Sequence, residues 1–521
     1  MLVNSPDALI ILGTLVLALL LVYFAYNSRL IGDDLPPGPR PLPFIGNAHQ
    51  VPSEHPEKTF AKWGTQYGDV IYVKMLATPT LVINSIEVAQ DLLDRRGRRY
   101  SGRPYFTVIS DLLGWGEAIT SLQLGERLRK QRRWLHESFY DKSALDMAQP
   151  TQLREAKVLL QCLLDNPECY SEHLNRFTRS IMLETIYGHT VTSRDDKYMQ
   201  IADRALKGTN DVAAAGTNIV DALPILRHVP SWMLGRGIAR LLKETRPGVL
   251  AAHKEPYALV ANAMAAGESK PSMVRSLIEE YASKDTLAQE RWDIMSASAM
   301  SYLGTSNDSH AHILTNVTLM AFILTMILFP SALVKAQEEI DYVIGNERLP
   351  TYDDRESLPY LECLLQEVYR WHSPIQFGLP HEVTEEDNYR GYRIPKGTMV
   401  MANLWLMTRN PELYPNPEAF RPERFLGLSP DEAKQMDPRN LVFGFGRRIC
   451  PGRRFADASI WLAIASIVAT FNVRKVRDAE GRETDPVVEF TSGSVSHPHD
   501  FECSITPRSE RAARLIRAGA R

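Results

Sequence analysis

The sequence predicts a mainly α-helical domain with small peripheral β-sheets, an α+β chain tethered by one N-terminal transmembrane helix. Three observations predict it. Apolar residues recur at helical spacing from about Val88 onward, strand-like alternation is confined to short segments near residue 70 and after residue 390, and an apolar run crosses residues 8–26. The chain has 521 residues, 44% of them apolar and 23% charged, enough to bury a large core. Lys+Arg 59 against Asp+Glu 62 leaves a net charge of -3, so no global attraction to nucleic acid is expected. The cysteines, Cys162, Cys169, Cys363, Cys450 and Cys503, are scattered and odd in number. That pattern excludes a disulfide framework and a zinc spacing, and it favours a reducing, cytosol-facing compartment. Length alone suggests two to four domains of about 150 residues each.

The first element is the apolar run Ala8–Tyr26, broken only by Gly13 and Thr14 and about long enough to cross a bilayer as a helix. A cleaved signal peptide is the competing reading, but the run is long for one and no Ala-x-Ala site follows it. Arg29 and Arg40 lie after the span and place the bulk of the chain on the cytosolic side. Residues 1–34 are therefore expected to be a membrane anchor, and residues 35–46, opening Leu35-Pro-Pro-Gly-Pro-Arg-Pro, a stiff hinge that stops the helix. Residues 47–521 are the remaining domain. In it Asp69–Met75 and Thr80–Asn84 read as strands, followed late in the chain by Arg393–Met401, Pro486–Phe490 and Phe501–Ile505. A second apolar stretch, Ile313–Phe329, is expected in the core, because Asn316 and three threonines interrupt it and it sits at the short limit for a span. Asn307-Asp-Ser and Asn316-Val-Thr match glycosylation sequons, which a buried helix on the cytosolic side would not present for modification.

The segment Phe443-Gly-Phe-Gly-Arg-Arg-Ile-Cys-Pro-Gly452 puts one cysteine in a glycine-hinged, arginine-flanked loop just before an apolar helical run. Gly446 and Gly452 let the backbone bend tightly and approach a flat ligand. Amide N–H groups in such a loop can point at the Cys450 sulfur and hold it as thiolate. Arg448 offers a cation to a haem propionate, and Phe443 can pack on the haem ring and exclude water. The spacing Phe-x-x-Gly-x-Arg-x-Cys-x-Gly, met at Phe443, Gly446, Arg448, Cys450 and Gly452, resembles the cysteine-ligand loop of the cytochrome P450 family. The likeness covers the chain after the hinge. With Tyr392-Arg-Ile-Pro-Lys-Gly-Thr it points to fungal membrane-bound members of secondary metabolism. It implies one large domain of the cytochrome P450 fold, haem b as cofactor and Cys450 as axial ligand of its iron. The implied activity is that of a monooxygenase that hydroxylates or otherwise oxidises an apolar small molecule, terpenoid or aromatic polyketide. Electrons would come from NADPH through NADPH–cytochrome P450 reductase, since the chain carries no flavin or nicotinamide fingerprint of its own. The hinge is similar to that of microsomal members, which implies a single-pass protein of the endoplasmic reticulum membrane facing the cytosol.

Further residues take expected roles from the same resemblance. Glu367 and Arg370, three apart on a helix over Pro359–Trp371, would form a buried network with Arg424. Arg132 would meet a propionate, although Leu128 stands where the family usually has Trp, and His381 is either a propionate neighbour or a surface histidine. The central helix departs further from the family pattern. Counting back from Pro330 puts Ile313 and Leu314 where an acid and an alcohol usually relay protons. Coming from the N-terminal side, Gly304-Thr-Ser-Asn-Asp308-Ser309 looks like a displaced variant, which makes Asp308 and Ser309 the relay candidates, with Thr315 as the alternative. Phe106, Ile109, Leu112, Leu113, Phe377 and Leu379 are expected to line an apolar pocket, together with the turn Gly493–Pro498. Arg129, Lys130, Arg133, Arg447, Arg453 and Arg454 form either a reductase-facing basic surface or a solvated one. A haem-thiolate isomerase or dehydratase that needs no NADPH, and a non-catalytic haem protein, remain alternative readings.

Overall fold

The fold was obtained as a computed structural model, which describes residues 13, 14, 17, 18 and 34–519 apart from 44, 77, 194, 215–218, 223–228, 230–235, 304–313 and 494. The expected transmembrane run thus falls largely outside the described residues. No helix among those described is by itself long and apolar enough to cross a membrane.

The longer helices are α1 (Pro56–Tyr67), α2 (Glu126–Phe139), α3 (Lys142–Asp165), α4 (Tyr170–Tyr187), α5 (Lys197–Ala214), α6 (Arg236–Ala265), α7 (Met273–Ser283) and α8 (Leu287–Leu303). They continue with α9 (Leu314–Leu328), α10 (Pro330–Val343), α11 (Pro359–Trp371), α12 (Arg453–Thr470) and α13 (Glu510–Gly519). Helix α9 is the apolar stretch read from the sequence, and every residue from Thr315 to Ile327 is buried. A helix apolar all round belongs in a core when protein surrounds it on every side. Pro330 opens α10, so the chain turns by 104° between the two helices. Against α9 pack α4, α11 and α12, whose Ile460–Val468 segment is likewise buried.

The sheets are small and peripheral. Strands β1 (Val70–Met75) and β2 (Thr78–Ile83) form an antiparallel hairpin, β6 (Met399–Ala402) joins β2 in parallel with Thr80 opposite Met399, and β3 (His381–Glu382) closes the edge of β6. A second hairpin pairs β4 (Asp387–Tyr389) with β5 (Tyr392–Ile394). A third ladder joins β7 (Phe471–Arg474) to β8 (Ser504–Pro507). The expected strand over Pro486–Phe490 does not form. Among the described residues it pairs through a bridge from Phe490 to Pro498 and a bond from the His499 amide to the Glu489 carbonyl, and Val487 and Val488 stay exposed. The strand that does pair with the chain end, β7, emerges directly from α12. The hinge lies along the first sheet, where the Tyr72 amide donates to the Pro37 carbonyl and Arg393 holds the Asp34 carboxylate at 2.7 Å.

Candidate active site

The thiol loop runs between a short helix, Arg439–Val442, and the start of α12. Within it the Cys450 amide donates to the Phe443 carbonyl at 2.8 Å, which closes the turn beneath the sulfur. Burial pushes the Cys450 thiol above its ordinary pKa, while the Gly452 amide, Arg132 and Arg453 act the other way and favour the thiolate. A thiol that coordinates a metal is deprotonated outright. The two glycines differ in what the protein around them requires. Gly446 has φ +49, and a Cβ there would sit 2.2 Å from the Leu93 carbonyl oxygen, so glycine is required by the close approach of a neighbouring backbone. Gly452 has an ordinary φ of -90, and a Cβ on it would meet no atom within 4 Å. Phe443 packs edge-on against Tyr369, ring centres 5.7 Å apart.

Three arginines and a histidine gather around this loop. Arg448 donates to the carbonyls of Ser101 and Leu122 at 2.8 and 2.6 Å, and Arg132 donates to the Ile449 carbonyl at 3.0 Å. Arg103 donates to the carbonyls of Leu379 and Pro380, and its buried Nε has no partner. Among the described residues no carboxylate acts on any of the three; Arg103 and Arg448 feel the other arginines of the cluster, and Arg132 feels the Cys450 sulfur, which favours its charge, and Arg453, which opposes it. Burial together with that repulsion pushes Arg103 down to about 9 and Arg448 to about 10. Each unit of such depression is about 1.4 kcal/mol against the charged form, so at neutral pH the cluster works against the fold until an anion joins it. His381 is buried, its Nδ1 donating to the Tyr100 carbonyl at 2.7 Å, and burial and then Arg103 lower its pKa to about 3. As a neutral ring its Nε2 is an acceptor, and it donates to a carboxylate only by gaining the proton that a bound anion would favour. The sequence signals Arg132, Arg448 and His381. It gives no warning of Arg103, which sits between Gly102 and Pro104 in a loop without periodicity. A pair of carboxylates fits this cluster, and a haem carries two.

Behind the loop, the expected ion-pair network is present and fully buried. Arg370 grips Glu367 through two bonds of 2.7 and 2.8 Å, Arg424 reaches the same carboxylate at 3.0 Å, and the Arg421 amide adds a bond of 2.8 Å. Leu128 fills its place on α2 as a buried apolar residue. Asp308, Ser309 and Gly304 lie outside the described residues, whereas Thr315 is buried in the first turn of α9.

The expected pocket residues do not form a single set. Leu113 is buried in the main core at the end of a π-helical segment, Val108–Leu113, and Phe377 packs on Phe60 of α1 in a separate cluster, rings 5.7 Å apart. Phe106, Ile109 and Leu112 are half-buried and Leu379 is exposed. The turn Gly493–Pro498 is brought to the segment after α11, with the Ser496 amide donating to the Pro374 carbonyl and the Ser496 carbonyl bonded to His372 Nε2 at 2.9 Å. In the expected basic surface, Lys130 is neutralised by Glu290 and Asp293, while Arg453 and Arg454 flank the Tyr140 ring at 5.2 and 4.0 Å. Arg129, Arg133 and Arg447 are exposed.

The family model for cytochrome P450 matches residues 36–501. The chain belongs to the cytochrome P450 family. Its relatives include cytochrome P450 monooxygenase 176 of Postia placenta, 39% identical over 515 residues that cover 99% of this chain and 98% of the relative. Cytochrome P450 monooxygenase 136 of the same fungus is 40% identical, covering 98% and 96%. Cytochrome P450 monooxygenase claR of Ampulloclitocybe clavipes is 37% identical, covering 96% and 91%. The chain is thus a fungal-type cytochrome P450 monooxygenase whose cofactor is a thiolate-ligated haem, acting on a small molecule with a redox partner.

Proposed function

We propose that Cys450 is the thiolate ligand of the haem iron, that Arg103, Arg132 and Arg448 with His381 hold the two propionates, and that the enzyme oxidises an apolar small molecule of fungal secondary metabolism. The observation that carries this is the buried triple-arginine cluster beside the thiol loop, with no carboxylate to balance it. When bound, haem supplies dioxygen activation, with the thiolate pushing electron density to favour O–O cleavage. The chain's own part is to bind the propionates with charge-assisted bonds, offsetting the cost of keeping those cations out of water. Gly452 N–H, Arg132 and Arg453 favour the charged sulfur. The substrate is a terpenoid or aromatic polyketide held against Phe106, Ile109, Leu112 and Leu379, and a relay of Asp308, Ser309 or Thr315 delivers protons. Electrons come from NADPH through a separate reductase that meets Arg129, Arg133 and Arg447. Incubating the enzyme and a fungal reductase with a fungal metabolite pool is expected to give a product heavier by one oxygen atom, formed only with NADPH. Equal conversion without NADPH would replace this reading with an isomerase.

Residues 1–34 serve as the anchor, 35–46 as the hinge and 47–521 as the catalytic domain, on the cytosolic face of the endoplasmic reticulum. Support comes from the apolar run and from Leu42 and Ile45, which stay 49% and 40% exposed at the end of the hinge where a membrane surface would cover them. Deleting residues 2–28 is expected to release most of the enzyme from carbonate-washed membranes. Full retention would assign the anchoring to another segment.

A further inference from the structure

Behind the thiol loop lies another charge cluster, separate from the Glu367 network and from the three arginines at the loop's other side. Arg439 stands on the short helix that leads into the loop, and Asp457 stands in the second turn of α12, which leads out of it. Arg439 Nε lies 2.8 Å from Asp457 Oδ1, so an ion pair joins the two ends of the loop. Tyr369, buried on α11, donates its hydroxyl to the same Asp457 oxygen at 3.3 Å. Its ring meets Phe443, whose carbonyl accepts the Cys450 amide, and the Arg439 guanidinium lies 5.9 Å above that ring. Arg355 completes the cluster, holding Asp457 Oδ2 at 2.6 Å and Glu362 at 2.9 Å, while Glu362 also receives Arg439.

Within the loop the Cys450 and Arg448 amides donate to the Phe443 and Phe445 carbonyls, and Arg132 and Arg448 hold it from one side. Gly444 and Gly446 both have positive φ, and glycine backbone has no strong preference of its own. The loop's two ends are held by a further set of groups, which are ionic, largely out of water and connected through Tyr369 and Phe443 to the backbone of Cys450. Losing a partner that orients a metal ligand without touching the metal typically costs about ten- to a hundredfold in metal affinity or activity.

We propose that Arg439, Asp457 and Tyr369 form a clasp that closes the thiol loop and holds Cys450 in place as the thiolate ligand of haem. They are positioning residues, and the proposal rests on the reading of Cys450 as that ligand. The clasp predicts that the thiolate bond fails before the fold does when it is opened.

The test uses the full-length holoprotein and follows, on warming, both the strongly red-shifted Soret band of the ferrous carbon monoxide complex and the far-ultraviolet helix signal. Asp457→Asn, which removes the charge that pairs with Arg439 and Arg355, is expected to convert the red-shifted band to the unshifted one about tenfold faster or more, while the helix signal is still complete. Tyr369→Phe keeps the ring on Phe443 and loses only the hydroxyl, so a smaller acceleration is expected, and Asp457→Glu should recover most of the band's lifetime. Glu184→Gln, which breaks the bidentate pair with Arg154 between α4 and α3, helices that carry none of the clasp residues, is the control. It should lower the unfolding midpoint without separating the two signals. Should Asp457→Asn lose both signals together, or leave the band as durable as in the wild type, the clasp is overturned; where Asp457→Asn does not fold, Tyr369→Phe decides in the same way. A wild-type protein with no red-shifted band would instead overturn Cys450 as ligand.

Discussion

Replacing Cys450 by alanine is expected to abolish the red-shifted Soret band of the ferrous carbon monoxide complex and all monooxygenase turnover, while the protein still folds and retains haem. Cys450 as a residue is only partly covered by protein, and its sulfur has one backbone partner, the Gly452 amide, so its loss costs the fold on the order of 1 kcal/mol, an ordinary effect for a single substitution. Haem retention is expected because the cations proposed to hold the propionates remain: Arg103 and Arg132 lie on other segments, and Arg448, in the same loop, keeps its bonds to the Ser101 and Leu122 carbonyls. The spectral and chemical effects are all-or-none because no other cysteine can substitute. Cys363 is buried beside Tyr414 and Phe425, and burial pushes its thiol up to about 12, as it does that of Cys503. Carbon monoxide difference spectra and haem content on the same purified sample check both halves. A persistent red-shifted band would remove Cys450 from the iron, and simultaneous loss of haem would mean that the arginine cluster does not hold the propionates.

Much of this site was legible in the sequence because its signals are local. The thiol loop carries five fixed positions within ten residues, α11 was delimited at Pro359 and Trp371 by its proline start and its periodicity, and α9 by its continuous apolar run. The first hairpin, β1 with β2, was readable from alternation and a turn. What escaped is what depends on distant partners. Arg103 becomes a site residue only because the fold lays residues 101–103 beside His381 and Arg448. The clasp draws Tyr369, Arg439 and Asp457 from three elements, and nothing in any one of them announces the other two. β7 escaped because it continues α12 without a break, and Pro486–Phe490 misled because its valines and phenylalanine favour a strand while only its end, Glu489 and Phe490, meets a neighbouring segment. Gly446 carries a second requirement that the sequence does not show: the atom a Cβ there would meet belongs to Leu93, far away in sequence.

Removing Glu367 is expected to be the most destabilising single change. Its carboxylate accepts from Arg370, Arg424 and the Arg421 amide, and both it and Arg370 are 0% exposed. Glu367→Ala therefore strands two cations and an N–H without water to take the carboxylate's place. Breaking one partner of a buried pair in this way costs about 3–5 kcal/mol, against a typical total stability of about 5–15 kcal/mol. Arg370→Ala should approach the same cost, since Arg370 also donates to the carbonyls of Thr408 and Ala419, which tie α11 to the segment leading to the thiol loop. Arg424→Ala should cost less, because Arg370 still neutralises the carboxylate, and the carbonyls of Pro415 and Asn416 that Arg424 serves lie nearer the surface. Urea midpoints of the three variants, read from the helix signal, should fall in that order below the wild type. Equal midpoints for Glu367→Ala and Arg424→Ala would mean that the carboxylate is worth no more than its outer partner. The network would then be a register device for the chain behind the thiol loop, adding little to stability.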